Sequence, residues 1–213
     1  MLAIGGAYTL LSVVAQGAAP IGEPWTITEA EGNVLRTIGN RPPLDVLRDT
    51  LNALSDPMRS RAARNLLVGL AMDEYREQFN QGDFLIRNLV GVDPDSGAMA
   101  IGAEPELGQT IQFQVRDATA ADEDLRRQLQ LAQERVADVE VAGALLCTCN
   151  GRGQGLFGLP DHDARAISEA LGPLPLAGFF CNGEIGPVGT RTYVHGFTAS
   201  LALFVPADQV KRG

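Results

Sequence analysis

Lysine is almost missing from this chain. Of 17 basic residues, only Lys211 is lysine and the other 16 are arginine. No Lys/Arg block stands out, and the formal net charge is -9. Nucleic acid and anionic membrane surfaces therefore find no electrostatic footprint to bind. Cysteine is sparse as well, with Cys147, Cys149 and Cys181 alone. Three thiols in apolar segments make no disulfide framework and favour a reducing, cytoplasmic setting. The apolar N-terminus has no Lys or Arg before Arg36, so it lacks the basic start of a secretory signal. Gly5, Gly6, Thr9 and Ser12 interrupt it, and no run reaches the roughly 20 apolar residues of a membrane span. Internal repeats and low-complexity stretches are absent.

What is present suffices for a folded protein. The chain has 213 residues, of which 45% are hydrophobic. That composition excludes a disordered chain and is ample for a sizeable core. Tyr8–Ala15 reads as an apolar strand, and Trp25–Thr28 with Asn33–Ile38 as a hairpin turning at Glu31-Gly32. Leu44, Leu47, Leu51 and Leu54 recur at helical spacing behind Pro43, and a short helical piece follows Asp56-Pro57. Residues 66–115 return to strand character. Thr110–Val115 alternates, which predicts one polar face, as in antiparallel sheets. Residues 119–139 form the clearest helix, with Thr119 as its cap and Leu125, Leu129, Ala132, Val136 and Val139 in one stripe. Asp161 is placed to cap a further helix that Gly172 stops. The expected fold class is α+β: mixed, mostly antiparallel sheets, about four helices, and one β-α-β unit near residues 141–181.

That unit carries the chemistry. Its strands, 141–149 and 174–181, are joined by one helix, a connection that favours parallel pairing with a right-handed crossover. The loops Cys149-Asn150-Gly151-Arg152-Gly153 and Asn182-Gly183-Glu184 then leave the same sheet edge, where α/β proteins tend to bind ligands. Arg152 is able to fork onto a carboxylate and Glu184 to take an ammonium, which suits a zwitterion such as an amino acid. The alternative is that Arg152 and Glu184 pair with each other and the glycines only turn the chain. Cys147, Cys149, Cys181 and His195 are the right residue types for zinc. With no second Cys-x-x-Cys and no His pair, no metal is assigned. Cys149 with His195 as base describes a hydrolase, but nothing in the spacing brings the two together, so no catalytic residue is assigned. His195 reads as a turn histidine and a minor candidate for haem, and His162, near a helix start, as solvated.

The same stretches resemble the FIST proteins (F-box and intracellular signal transduction), above all their C-terminal domain. The matching segments are QGAAPIGEPWTITEAEGN at 16–33, RNLVGVDPDSGAMAIG at 87–102, RDATAADEDL at 116–125, CNGRGQGLFG at 149–158, LAGFFCNGEIGPVG at 176–189 and HGFTASLALF at 195–204. The resemblance implies residues 1–40 as the end of a FIST N-terminal domain, 41–206 as a FIST C-terminal domain and 207–213 as a flexible tail. It implies a bacterial, cytoplasmic sensory domain rather than an enzyme, one that binds a small ligand such as an amino acid and signals through a separate output protein. The ligand would meet Cys149, Asn150, Gly151, Arg152, Gly153, Asn182, Gly183, Glu184 and His195. No cofactor is required. Haem-based nitric oxide sensing is the alternative that some members suggest, and a protein-interaction module is another.

A strand at residues 8–15 without its N-terminal neighbours would leave an open sheet edge, which invites association. Sedimentation velocity is therefore expected to show self-association of this chain. A stable monomer would contradict that expectation.

Overall fold

A computed structural model describes residues 5–188 and 191–209. The chain opens with strand β1 (Tyr8–Ala15). Then come β2 (Ala19–Glu31), β3 (Val34–Ile38), helix α1 (Pro43–Ala53), helix α2 (Asp56–Asn65), β4 (Leu66–Ala71), β5 (Phe84–Val92), β6 (Met99–Ile101) and β7 (Thr110–Val115). Helix α3 (Ala118–Arg135) leads to β8 (Gly143–Cys149), the short α4 (Gln154–Phe157), α5 (His162–Leu171), β9 (Leu176–Cys181), β10 (Glu184–Val188), β11 (Arg191–His195) and β12 (Ala199–Pro206). The α+β class and the mostly antiparallel pairing follow expectation, although α4 makes the helices five among the described residues. The contacts divide the chain into two compact units, residues 18–120 and residues 1–17 with 121–213. Neither boundary falls at residue 40.

In the unit of residues 18–120, six strands close into a barrel in the order β2-β3-β6-β5-β4-β7. Ile27, Leu35, Val68, Met99, Ile111 and Phe113 belong to its apolar cluster, which Val46 and Leu47 of α1 join. Pro43 opens α1 as the leucine spacing predicts. The expected polar face of β7 is not solvated. Gln114 is buried, and Gln112 is buried with its amide donating to the Gly22 carbonyl at 2.6 Å. Alternation marked two faces correctly, but it does not tell which faces are covered.

The other unit holds a four-stranded sheet in the order β1-β12-β8-β9. β1 pairs antiparallel with β12 along its whole length, from Tyr8 opposite Pro206 to Ala15 opposite Ala199. One side of β1 is therefore paired, and its other side is the sheet edge expected from the sequence. It forms one end of the sheet, and its partner strand lies at the far end of the chain. β8 and β9 run parallel, from Ala144 opposite Leu176 to Cys149 opposite Cys181. The β-α-β expectation therefore holds. One face of the sheet carries Leu11, Val13, Leu146, Leu201 and Leu203, packed in one core with Leu125 and Leu129 of α3 and Ile167 of α5. Asp117 Oδ1 accepts the Ala120 N–H at 2.9 Å, so Asp117 rather than Thr119 caps α3. Thr198 N–H lies near Glu184 Oε2 at 3.3 Å, and Ser200 Oγ reaches the Ile185 carbonyl at 3.4 Å, which seats the β10-β11 hairpin beside β12. The tail is anchored at its start, where Ala207 N–H donates to the Ala7 carbonyl at 2.8 Å. Its expected flexible end, residues 210–213, lies outside the described residues.

Leu203 is fully buried in this core, whereas Leu131 on α3 is half exposed. Leu203→Ala is expected to lower the unfolding free energy by about 2–5 kcal/mol through lost burial and a residual cavity. Leu131→Ala should change it by less than about 0.5 kcal/mol. Urea unfolding of both variants checks the contrast.

Candidate functional site

The two glycine-bearing loops do leave one sheet edge. Asn150 N–H donates to the Cys181 carbonyl at 2.9 Å, and Asn150 Nδ2 donates to Asn182 Oδ1 at 2.5 Å. Beyond that junction the expected site separates into three places. Asn150, Gly151, Asn182 and Gly183 lie exposed at the edge, with Cys149 half-buried beside them. Arg152 turns inward toward the helices. Glu184 and His195 lie buried in the β10-β11 hairpin, where they face each other across the ladder.

Arg152 has no exposed side-chain surface. Its Nε donates to Asp163 Oδ2 at 2.7 Å and its Nη2 to Asp163 Oδ1 at 2.9 Å, a bidentate fork onto the first turn of α5. The carboxylate that Arg152 binds is internal, and Arg152 and Glu184 do not pair. Thr148 Oγ1 donates to Asp163 Oδ2 at 3.1 Å. The guanidinium also sits 5.3 Å from the centre of the Phe157 ring. Burial alone would raise the Asp163 pKa, but the Arg152 hydrogen bonds and charge, helped by His162 and Thr148, outweigh it and hold the carboxyl below its ordinary value. Gly17 has to be glycine here. Its φ is +69°, and a Cβ on it would stand 2.8 Å from Arg152 Nη1.

His162 is not solvated. Its Nδ1 lies 3.0 Å from Asp163 Oδ1 and its Nε2 2.9 Å from Asp122 Oδ1. The ring stacks on Phe157 with centroids 3.5 Å apart. Asp122 also receives Arg126 Nε, and Arg126 reaches Glu169 at 3.1 Å. A chain of polar contacts thus links the start of α3 to the start of α5.

Between α5 and the helix-facing side of β9 opens a cleft of about 270 Å³. Leu146 and Leu176 form part of its wall, Thr148, His162 and Asp163 its polar end, and Phe180 one side. Asp161 stands exposed at the cleft, with φ of +60° and no capping hydrogen bond, so it does not act as the cap expected of it. Gly153 (φ +84°) lets the Phe180 ring approach, since a Cβ there would lie 3.0 Å from the ring. Phe179 and Phe180 are 59% and 57% exposed. Of the nine expected site residues, only Gly153 lines this cleft. The run Asp161-His162-Asp163 is its visible signal, because three successive polar groups at a helix start are more than one cap requires.

His195, the residue named for the haem alternative, is buried, and its Nε2–H donates to the Gly186 carbonyl at 2.9 Å. At Cys147 and Cys181, burial first and Glu184 second raise both pKa values, Cys181 to about 11. No group of three or more His, Cys, Asp or Glu side chains among the described residues is arranged to hold a metal ion.

The fold and this site define an α+β domain built on one β-α-β crossover. Residues 43–187 match the FIST C domain, and the chain belongs to that family. It is 50% identical over 200 residues to an uncharacterized protein of Mycobacterium tuberculosis, covering 94% of this chain and 52% of that one. An uncharacterized protein of Mycobacterium bovis is 50% identical over 193 residues, covering 91% and 50%. An F-box/LRR-repeat protein of Arabidopsis thaliana is 31% identical over 105 residues, covering 48% and 20%. The chain spans about half the length of the mycobacterial relatives. FIST domains are a family associated with sensory signal transduction, and no helix among the described residues is long and apolar enough to cross a membrane.

Removing Arg152 while keeping Asp163 would leave a buried carboxylate without its guanidinium. Arg152→Met is expected to cost about 3–5 kcal/mol, and Arg152→Met with Asp163→Leu less than the sum of the single changes. Because Asp163 titrates below its ordinary value, its contribution is full above the unfolded carboxylate pKa near 4 and is lost as pH falls through the folded value. Urea unfolding between pH 3 and 7 should show a shallower acid loss in Asp163→Asn than in the parent.

Proposed function

We propose that this chain is a cytoplasmic, non-catalytic sensory domain that binds a small amine-bearing ligand in the cleft between α5 and β9. An apolar amino acid is the best fit. The observation that carries the reading is the cleft itself, which joins an exposed carboxylate, Asp161, to an aromatic side, Phe180, and an apolar wall. A carboxylate and an aromatic face both favour an ammonium group, and the apolar wall favours a hydrocarbon side chain. The volume of about 270 Å³ suits a molecule of amino-acid size. The ligand thus belongs on the helix-facing side of the sheet edge, with Arg152 shaping the polar end through Asp163 rather than touching the ligand. Output passes to a separate signalling protein that senses the occupied edge.

Thermal-shift and calorimetric titration against the twenty amino acids and simple amines test this. An apolar member is expected to stabilise the chain. Asp161→Asn and Phe180→Ala should each weaken binding about tenfold or more without a comparable loss of stability, because both side chains are exposed. Stabilisation by none of these compounds, or binding indifferent to both variants, overturns the reading.

A further inference from the structure

We propose that Cys149 and Cys181 close a reversible intramolecular disulfide when the chain meets hydrogen peroxide, so that the carboxyl edge of the sheet is an oxidant-responsive site. The two residues are direct partners on adjacent parallel strands, and their side chains leave the same face. Strands in a sheet lie about 4.8 Å apart, which falls within the Cα separation a disulfide spans, about 4.4–6.8 Å. Cys147 shares that face but stands opposite Phe179, two residues back. Diagonal neighbours are about 7–8 Å apart, beyond the reach of a disulfide without backbone movement. The register therefore selects Cys149 over Cys147 as the partner of Cys181.

The surroundings divide the labour between the two sulfurs. Cys149 ends its strand half-buried, and the Gly151 N–H points at its Sγ from 3.2 Å, a donor that steadies developing negative charge. Cys181 is held as the thiol, its Sγ donating to Glu184 Oε1 at 3.3 Å, with the Thr148 carbonyl at 3.4 Å. Glu184 is 1% exposed, which keeps this contact dry.

The steps follow from this placement. Cys149 sulfur attacks one peroxide oxygen and the O–O bond breaks. One water leaves, and Cys149 becomes a sulfenic acid. Cys181 then passes its proton to Glu184 and attacks the Cys149 sulfur. The S–S bond forms as the S–O bond breaks, and the departing hydroxide takes that proton from Glu184 and leaves as a second water. Two thiols are oxidised by two electrons and one peroxide is reduced to two waters. A cytosolic disulfide of this kind is transient and sensing rather than structural, and thiol reductants reverse it.

Peroxide treatment of the full 213-residue chain, followed by alkylation and peptide mass mapping, tests the proposal. Reactive thiols are expected to fall from three to one, with one peptide pair joining Cys149 to Cys181, restored by dithiothreitol. Cys147→Ser should retain the cross-link, and Cys149→Ser and Cys181→Ser should each abolish it. Glu184→Gln should prolong a dimedone-trappable sulfenic acid on Cys149. Three surviving thiols, a cross-link through Cys147 or between chains, or direct passage of Cys149 to sulfinic acid would each overturn it. An unchanged sulfenic lifetime in folded Glu184→Gln would overturn the role of Glu184. These readouts need no ligand, so their failure is independent of the cleft.

Discussion

The constraint on which the sheet-and-helix unit depends is the buried fork of Arg152 onto Asp163. A guanidinium without exposed surface is tolerable only where its charge is met. Here it is met by a carboxylate that also takes hydrogen bonds from Thr148 and His162. That one carboxylate ties the end of β8, the loop after it and the start of α5 into a single arrangement. Gly17 is held to glycine by the same guanidinium, so the pair reaches the chain that follows β1 as well. The cleft against β9 exists because α5 is held at this distance, with its polar first turn facing the sheet edge.

The opposite side of the same edge holds a second buried carboxylate. Among the contacts of Glu184 are the Cys181 thiol and the Thr198 amide. On one side of the sheet an arginine grips a carboxylate, and on the other a carboxylate stands beside a thiol. The sheet keeps the two apart.

Much of this was legible in the residues. The stripe of Leu125, Leu129, Ala132 and Val136 named the buried face of α3, and the crossover length named the parallel pair β8 and β9. Periodicity reports one element's own faces, and these readings needed nothing more. The pairings of Arg152 with Asp163, His162 with Asp122 and Glu184 with Thr198 were not legible, because each spans 11 or more residues and is chosen by tertiary placement. Glu184 read as a loop residue and His195 as a turn histidine, yet Glu184–Val188 and Arg191–His195 pair as strands. The strand character of β1 was plain, but its partner lies nearly two hundred residues away, where no local pattern points.

That long pairing has a consequence for how the chain is made. β12 lies between β1 and β8, so the four-stranded sheet has no centre until residues 199–206 have left the ribosome. The barrel of residues 18–120 draws on one continuous stretch and meets no such delay. During synthesis the β1–β12 pairing therefore has to wait until everything between the two strands is translated. Pairings of such long separation are where chains of high contact order are most exposed to wrong partners.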